Sequence, residues 1–230
     1  MTPAPVSCIV PVFNGERFLG EALESILAQT ASPAEILVVD DGSTDATPAV
    51  AARFEGRIRY VSQSNAGPAA ARNHGLRIST GEFIAFLDAD DVWLPQKLAL
   101  QLARFRERPE LGLCVAHAQN FWVPELKAEE EELRSHRRSK PIPGYVTGTL
   151  LARRSLFDAI GGFNLAWSHC DDTEWFLRAE AHGALRELLP DVLLLRRVHP
   201  GNRSRARAGT SRDEYLQLLK ATLDRRRSGQ

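Results

Sequence analysis

The chain has 230 residues, of which 43% are apolar and 25% are charged. This composition is typical of a globular protein, and the length suffices for one large α/β domain or for two lobes that share a core. Lysine and arginine together number 29, as do aspartate and glutamate. Because the formal net charge is zero, no overall field favours nucleic acid or an acidic substrate, and we expect no nucleic-acid partner.

The three cysteines, Cys8, Cys114 and Cys170, are widely spaced and form no Cys-x-x-Cys pair. This pattern favours a reducing compartment over a disulfide framework or a structural zinc site. The N-terminus leads into a strand-like segment without a basic region followed by a long apolar stretch. We therefore expect neither a signal peptide nor a membrane span, and we expect a cytoplasmic protein.

In the first half, short apolar runs alternate with segments whose apolar residues recur every three or four positions. The runs predict strands and the recurring segments predict helices. The strands are predicted at 6–13, 35–39, 58–61 and 83–87, and the helices at 15–29, 46–54, 68–79 and 96–107. We expect Asn14 to cap the first helix. The alternation predicts an α/β fold with a mostly parallel sheet covered by helices on both faces.

Acidic residues follow two of these strands. Asp40 and Asp41 end the second strand, and Asp88, Asp90 and Asp91 follow the fourth. Ligands of such sheets bind beyond the carboxyl ends of the strands. Carboxylates this close repel each other unless a cation lies between them, and a divalent metal ion is the usual solution. An isolated Asp-x-Asp also fits a turn in which Asp91 caps the next helix, but that alternative leaves the other acidic strand end unexplained.

Two phosphate-binding motifs are absent from the sequence. No Gly-x-Gly-x-x-Gly follows the first strand, and no Gly-x-x-x-x-Gly-Lys occurs. These absences argue against a dinucleotide-binding fold and against a P-loop. An acidic rim repels a bare diphosphate, but it can bind a nucleoside diphosphate when a metal ion neutralises the phosphates and the carboxylates accept hydrogen bonds from base or ribose.

The second half of the chain is less regular. A strand is predicted at 111–116, and the following stretch, 124–143, is highly charged and poor in apolar residues. We interpret that stretch as a mobile insertion, either a lid that orders on substrate or a plain surface excursion. Beyond it the pattern predicts a strand at 148–153, a short helix ending at Gly161 and a last strand at 186–198.

The C-terminal tail, 201–230, is basic. Its apolar residues predict a short amphipathic helix: Tyr215, Leu216, Leu218, Leu219 and Leu223. We expect this apolar face to pack on the domain. The alternative is peripheral contact with anionic lipid at the inner membrane face, where a lipid-linked acceptor is presented.

Four segments in order resemble the signatures of family 2 glycosyltransferases with the GT-A fold: 11–14, 36–45, 65–73 and 86–91. The resemblance spans about 6–200. It implies a Rossmann-like sheet whose first half, 1–110, binds a nucleotide sugar, and a mixed half, 111–200, that binds the acceptor. The implied reaction is inverting transfer of a sugar from a nucleotide-diphosphate donor to an acceptor hydroxyl. The acceptor (a glycan, a lipid-linked sugar or a small molecule) and the oligomeric state stay open.

The resemblance implies nucleotide-binding roles for five residues. Phe13 stacks on the nucleobase, and the backbone near Pro11 lines the base pocket. Asp40 accepts a hydrogen bond from an imide N–H such as that of uracil, so a uridine donor is expected and a guanosine donor stays open. Arg72 holds the nucleotide, with a helix residue paired to a rim aspartate as the alternative, and Asp88 contacts the ribose.

The resemblance also implies a metal site and a base. Asp90 binds Mn²⁺ or Mg²⁺, and His199 can approach the metal or the diphosphate, although a lone histidine is more often structural. Asp172, the second residue of an acidic pair that opens a helix, is the catalytic base; Asp171 stands where glutamate is more frequent. A helix N-terminus keeps a carboxylate ionised, as a base requires. The alternative is that one of the pair simply caps the helix, a cap that we expect Glu174 to support.

Two other functions remain open from the sequence. A sugar nucleotidyltransferase binds a triphosphate and would favour a loop rich in Gly, Arg and Lys after the first strand. The turn at 13–16, Phe-Asn-Gly-Glu, has few such residues. A catalytically silent scaffold that binds a nucleotide sugar is the alternative outside enzymes. The complete set of acidic positions argues against such degeneration.

Overall fold

The structure is a computed structural model that describes residues 4–206 and 208–228. The first half contains five strands: β1 (Ala4–Val12), β2 (Pro33–Asp40), β3 (Arg59–Ser62), β4 (Phe83–Phe86) and the short β5 (Val92–Trp93). Four helices lie between or after them: α1 (Leu19–Leu27), α2 (Thr47–Ala52), α3 (Pro68–Ile78) and α4 (Lys97–Glu107). The alternation predicted from the apolar pattern is confirmed.

The second half adds four strands: β6 (Leu113–Trp122), β7 (Ile142–Pro143), β8 (Leu151–Arg153) and β9 (Arg186–Val198). Its helices are α5 (Lys127–Glu132), α6 (Arg154–Ile160), α7 (Asp171–Ala181), α8 (Arg203–Ala206) and α9 (Ala208–Ser228). Within the described ranges, no helix combines the length and the hydropathy needed to cross a bilayer.

The strands of the described chain form one sheet in the order β3-β2-β1-β4-β8-β6-β9-β5, with β7 added beside β6. The strands β3, β2, β1 and β4 are parallel to one another. The other half mixes directions, because β8 runs antiparallel to β4 and β6, whereas β9 runs parallel to β6. A parallel first half and a mixed second half agree with the predicted fold class.

Both faces of the sheet are covered, which explains the unbroken apolar runs of its central strands. Along β1, Cys8 and Val10 belong to the core on one face, together with Leu23 of α1. Ile9 belongs to the core on the opposite face. On that face α3 approaches closely, since a Cβ added at Gly75 would lie 2.4 Å from Ile9 Cγ2. This close approach fixes α3 against the sheet.

Three local predictions differ from the structure. Asn14 does not cap α1, which begins at Leu19; it adopts a left-handed conformation (φ 51°), and its Oδ1 accepts from Thr44 N at 2.8 Å. β6 extends beyond the predicted end at 116 because its polar part pairs with β9. β8 begins only at Leu151, because Thr147–Thr149 form a 3₁₀ turn.

The charged segment 124–143 contains the short helix α5, the short strand β7 and two 3₁₀ turns, and it is mostly exposed. Ion pairs hold it to the rest of the chain. Arg205 contacts both carboxylate oxygens of Glu129, at 2.7 and 2.8 Å, and Arg17 pairs with Glu125. The segment therefore lies outside the core, as its composition indicates; its mobility stays a prediction.

The predicted tail helix is confirmed and is longer than expected. Leu218 is 1% exposed and docks α9 on the domain. Tyr215, Leu216 and Leu219 remain 47%, 55% and 42% exposed, so most of the apolar face predicted to pack on the domain is open to solvent. Leu223 belongs to the same predicted stripe, but its side chain lies outside the described residues.

Candidate active site

The sequence-predicted site residues lie where several elements end. Pro11, Asp40 and Asp88 lie at or just beyond the carboxyl ends of β1, β2 and β4. Asp172 lies in the first turn of α7, and His199 directly follows β9. Carboxyl ends of adjacent parallel strands share one edge of the sheet, so the fold brings the donor-side residues to one rim.

Arg72 of α3 links this rim to α7. Its Nη2 donates to Asp88 Oδ1 at 2.7 Å, and its Nη1 donates to Asp171 Oδ2 at 2.8 Å. Burial alone would lower the pKa of Arg72, but the charges of Asp88 and Asp171 outweigh burial and raise it. Likewise, desolvation would raise the pKa of Asp88, but the Arg72 guanidinium lowers it. Arg72 and Asp88 thus stabilise each other's charged forms.

A polar atom of Arg72 is left over. The side chain of Arg72 is only 8% exposed, and its Nε is buried without a hydrogen-bond partner among the described residues. A buried unsatisfied donor is costly, and it is commonly explained by an additional group at a functional site. The expected pairing of Arg72 with a rim aspartate is present, and the guanidinium keeps one donor for another partner.

Asp172 lies beside this bridge. It is half-buried, and its Oδ1 accepts from the backbone N–H of Thr173 at 2.6 Å. Burial, followed by the charge of Asp171, raises the pKa of Asp172 to about 6, against a lowering contribution from Arg72. A carboxylate with this pKa is ionised at neutral pH and still binds a proton more readily than an ordinary aspartate, which suits a general base.

Glu174 does not support the helix start, contrary to expectation. Its carboxylate instead accepts from Arg178 Nε at 2.8 and 2.9 Å, one turn later in α7. Arg178 in turn donates to the carbonyl oxygens of Ile160 and Gly162. Through Arg178, the pair therefore fixes the turn after α6 to α7. Glu174 pairs with this residue four positions later in the helix instead of making the predicted capping bond.

Asp90 and His199 meet on the other side of the rim. Asp90 Oδ2 lies 3.0 Å from His199 Nε2 and accepts from Asn202 Nδ2 at 3.1 Å. The 3.0 Å contact is a hydrogen bond, in which the imidazole N–H donates because a carboxylate accepts; carboxylate and imidazole are both ligand types for Mn²⁺. Among the described residues no group of three or more His, Cys, Asp or Glu forms a metal cage. The two donors fit an ion held largely by substrate phosphates.

Asp91 has a structural role that differs from the capping alternative. It is 6% exposed, and its Oδ1 accepts from the backbone N–H of Arg197 at 2.9 Å. Arg197 Nε also donates to the carbonyl oxygen of Asp90 at 2.8 Å. The residue before α4 is Gln96, so Asp91 does not cap that helix. Instead, this contact fixes the acidic turn to β9.

The structure shows the surroundings of the residues expected to bind the nucleotide. Phe13 is 52% exposed at the rim, and Pro11 is buried within β1. Asp40 is only 2% exposed; its Oδ1 accepts from Ser43 N at 2.8 Å, and its Oδ2 accepts from the Tyr60 hydroxyl. A carboxylate has about four lone-pair sites, so acceptor capacity remains. The contact of Asp40 with a base stays a prediction.

Three residues near the site were given no individual role from the sequence. Tyr60 and Asn202 orient Asp40 and Asp90, as described above. Asp41 accepts from the backbone N–H groups of Ala66 and Gly67 at 2.9 and 2.7 Å and thereby fixes the loop that begins α3. The adjacent acidic pair was the available signal for Asp41. Asn202 ends the His-Pro-Gly-Asn stretch 199–202, which resembles the family's last site motif, whereas Tyr60 carries no local pattern that distinguishes it.

Known relatives and structures resemble this chain. The uncharacterized glycosyltransferase EpsJ of Bacillus subtilis is 30% identical over 233 residues, which cover 92% of this chain and 66% of EpsJ. Across curated relatives, this chain spans between 15% and 66% of their length. The crystal structure of S. aureus TarS 1-349 in complex with UDP-GlcNAc superposes with a TM-score of 0.69 at 21% identity, covering 87% of this chain and 60% of that chain.

A second solved structure agrees with the first. The mannosyltransferase PcManGT from Pyrobaculum calidifontis, in complex with GDP-Man and Mn²⁺, gives a TM-score of 0.65 at 24% identity and covers 90% of this chain and 62% of that chain. At these identities the likeness concerns the fold, which is GT-A. Residues 7–166 match the family model described as "Glycosyl transferase family 2". The chain therefore belongs to glycosyltransferase family 2.

Proposed function

We propose that the chain transfers a sugar from a nucleotide-diphosphate donor to an acceptor hydroxyl with inversion, and that Asp172 is the general base. The observation that supports this most directly is the bridge through Arg72. It joins Asp88, just beyond β4, to the helix start that carries Asp171 and Asp172. This connection supports a single site for the proposed donor-binding and base groups.

The chemistry requires one displacement. As the acceptor oxygen bonds to the anomeric carbon, Asp172 removes the hydroxyl proton, and the bond from that carbon to the diphosphate oxygen breaks. One base and no second carboxylate nucleophile give inversion of the anomeric centre. The raised pKa of Asp172 strengthens the base while leaving it ionised at neutral pH.

The donor is proposed to be a uridine diphosphate sugar. Phe13, half-exposed at the rim, offers a ring for a base, and Asp40 offers acceptor capacity for an imide N–H. TarS is described in complex with UDP-GlcNAc, whereas PcManGT is described with GDP-Man, so both bases belong in the test.

Asp90 and His199 are the proposed protein ligands of Mn²⁺ or Mg²⁺. A divalent ion held there supplies Lewis-acid stabilisation of the negative charge on the departing diphosphate. PcManGT and a glucosyl-3-phosphoglycerate synthase from Mycobacterium tuberculosis are both described with Mn²⁺. The meeting of a carboxylate and an imidazole, two ligand types for Mn²⁺, supports the same choice for this chain.

We also propose a cytoplasmic location, which is supported by three buried, free cysteines. The exposed Tyr215, Leu216 and Leu219 on α9 support peripheral contact with the inner membrane face, as a lipid-linked acceptor would require. A glycan or a small-molecule acceptor would require no such contact.

The test follows release of nucleoside diphosphate with Mn²⁺ while UDP- and GDP-sugars are varied against hydroxyl acceptors. Asp172→Asn is expected to abolish transfer, whereas Asp158→Asn, at an exposed position on α6, is the matched control. Wild-type transfer by Asp172→Asn would refute the base. Metal-dependent nucleotide binding by the wild type, without transfer across donors and acceptors, would instead favour the silent scaffold.

A further inference from the structure

The tail of the chain holds the loop that leads into α7. Glu214 of α9 uses a single oxygen, Oε2, to accept from the backbone N–H of Ser168 at 3.0 Å and from that of His169 at 2.8 Å. Arg203 of α8 donates to the carbonyl oxygen of the same Ser168. Both backbone polar groups of Ser168 therefore bind side chains of the tail.

This loop ends where the proposed base begins. Ser168 is four residues before Asp172, and helical bonding starts two residues after Ser168, with Glu174 N donating to Cys170 O at 2.8 Å. Because His169 is separated from α7 only by Cys170, a displacement of the Ser168 and His169 backbone shifts the first turn of α7. The tail contacts thus act on the position of Asp172.

At its other end the loop is held by Phe163, which exchanges two hydrogen bonds of 2.7 Å with Asn73 of α3. Ala166 N donates to Asn164 Oδ1 at 3.0 Å, and Trp167 N donates to the Asn164 carbonyl at 3.3 Å. These two bonds to Asn164 lie within the loop and shape its middle. The bonds from Glu214 and Arg203 join it to another element, and a charged partner makes each of them stronger than a neutral hydrogen bond.

We infer that Glu214 is a positioning residue for Asp172 and that the tail is part of the catalytic unit; the inference rests on the proposed role of Asp172 as base. Catalytic groups need near-attack geometry, and a misplacement of about 1 Å can cost about 100-fold in rate. Leu218, one turn further along α9, is 1% exposed and packs independently of Glu214. Removal of the Glu214 carboxylate therefore releases the N–H groups of Ser168 and His169 while the buried Leu218 is retained.

Three variants test this. Glu214→Ala removes both bonds to the loop. Glu214→Gln removes only the charge, because its amide oxygen can accept from both N–H groups as Oε2 does. Asp213→Ala removes an exposed carboxylate from the preceding position of α9 and is the matched control.

We expect Glu214→Ala to lower kcat at least about tenfold while the Kd for UDP or GDP with Mn²⁺ stays within about twofold, because the nucleotide residues lie on other elements. Glu214→Gln and Asp213→Ala are expected to keep kcat within about threefold of wild type. A contact that only stabilises the fold would lower the melting temperature and leave kcat unchanged well below it.

The inference is overturned if Glu214→Ala folds and keeps the wild-type kcat. It is also overturned if Glu214→Gln loses as much kcat as Glu214→Ala, because the effect would then come from the charge. If Glu214→Ala does not fold, Glu214→Asp decides, because its shorter side chain keeps the charge but loses reach; unchanged kcat would then refute positioning. Transfer by Asp172→Asn at the wild-type rate instead defeats the proposed function. An inactive Asp172→Asn with a fully active Glu214→Ala defeats only this inference.

Discussion

Arg72 and Asp171, which lie 99 positions apart in the chain, form an ion pair in which Nη1 and Oδ2 are 2.8 Å apart and both side chains are 8% exposed. The same guanidinium also holds Asp88 at 2.7 Å. One cation thus joins the rim of the parallel half to the helix that carries the proposed base. Loss of that cation leaves two neighbouring carboxylates without their partner.

Arg72→Met should therefore destabilise the protein and abolish transfer. Removal of one partner of a buried ion pair costs about 3–5 kcal/mol, because the remaining charge stays buried. Urea unfolding measures the cost. Arg77→Met, at an exposed position on the same helix, should change the free energy of unfolding by less than about 0.5 kcal/mol. A cost for Arg72→Met as small as that of Arg77→Met would contradict the prediction.

Asp172→Asn should stabilise the protein at neutral pH. Burial and the charge of Asp171 raise the pKa of Asp172 to about 6 in the folded chain, above the ordinary value of about 4. The folded state therefore binds more protons between these values, and ionisation lowers the free energy of unfolding as pH rises from about 4 to 6. Because the side chain is partly solvated, we expect the free energy of unfolding of Asp172→Asn at pH 7.5 to exceed that of the wild type by on the order of 1 kcal/mol.

The stability difference should depend on pH in one direction only. Melting curves of wild type and Asp172→Asn are compared at pH 4 and pH 7.5, with Asp158→Asn as the exposed control. The gain should be present at pH 7.5 and absent at pH 4, where the native carboxyl group is protonated. A gain that is larger at pH 4 would show that the pKa of Asp172 is not raised.

The rate of transfer should fall on the acid side of about pH 6. A protonated Asp172 cannot accept the hydroxyl proton, and kcat/KM reports the protonation state of the free enzyme. Below the pKa we expect about a tenfold decrease per pH unit, measured in buffers of constant ionic strength and saturating Mn²⁺. A profile that stays flat down to pH 4.5 would be incompatible with this base.

The sequence predicts those parts of the fold and site that have a local pattern. The continuous apolar run of β4 followed by Asp88 and Asp90 predicts both a buried strand and an acidic rim, because the buried run and its polar end are adjacent in the chain. The start of α7 at Asp171 is likewise visible from its acidic pair. Contacts between distant segments have no such signal, and neither Arg72 with Asp171 nor Glu214 with Ser168 was predicted.

Two predictions from local patterns were wrong because tertiary contacts determine the hydrogen-bond partner of the side chain. Asn14 has the residue type of a helix cap, yet a left-handed turn at the same position serves the contact with Thr44. Glu174 has the spacing of a capping residue, yet Arg178 offers a stronger partner. In both cases the side chain has two satisfactory partners, and only the folded chain determines which one is within reach.

His199→Ala should impair Mn²⁺-supported activity more than Mg²⁺-supported activity. A neutral imidazole is a good ligand for Mn²⁺ and a poorer one for Mg²⁺, which prefers oxygen. We expect the Mn²⁺ concentration for half-maximal activity to rise about tenfold, with a smaller change for Mg²⁺. His182→Ala, at an exposed position after α7, is the control. Equal changes for both ions would indicate that His199 only orients Asp90.

Lys97→Met should remove a pH dependence of stability that originates far from the site. Lys97 is fully buried; its Nζ donates to Gln101 Oε1 at 2.9 Å and to the Leu150 carbonyl at 3.3 Å, and it lies 4.2 Å from the centre of the Trp93 ring. Burial lowers the pKa of Lys97 to about 7. In an unfolded chain, lysine titrates near 10.4.

Between pH 7 and 10 the unfolded chain therefore binds more protons at this position than the folded chain, so the free energy of unfolding of the wild type should rise with pH. A methionine at this position binds no proton in either state, so this contribution to the pH dependence disappears. The substitution also leaves the Gln101 and Leu150 oxygens without the Lys97 donor. We compare urea unfolding at pH 7 and pH 9. The wild type should gain about 1–2 kcal/mol relative to Lys97→Met over this interval, whereas exposed Lys220→Met should track the wild type. A difference between wild type and Lys97→Met that does not change with pH would show that Lys97 is charged in the folded core up to pH 9.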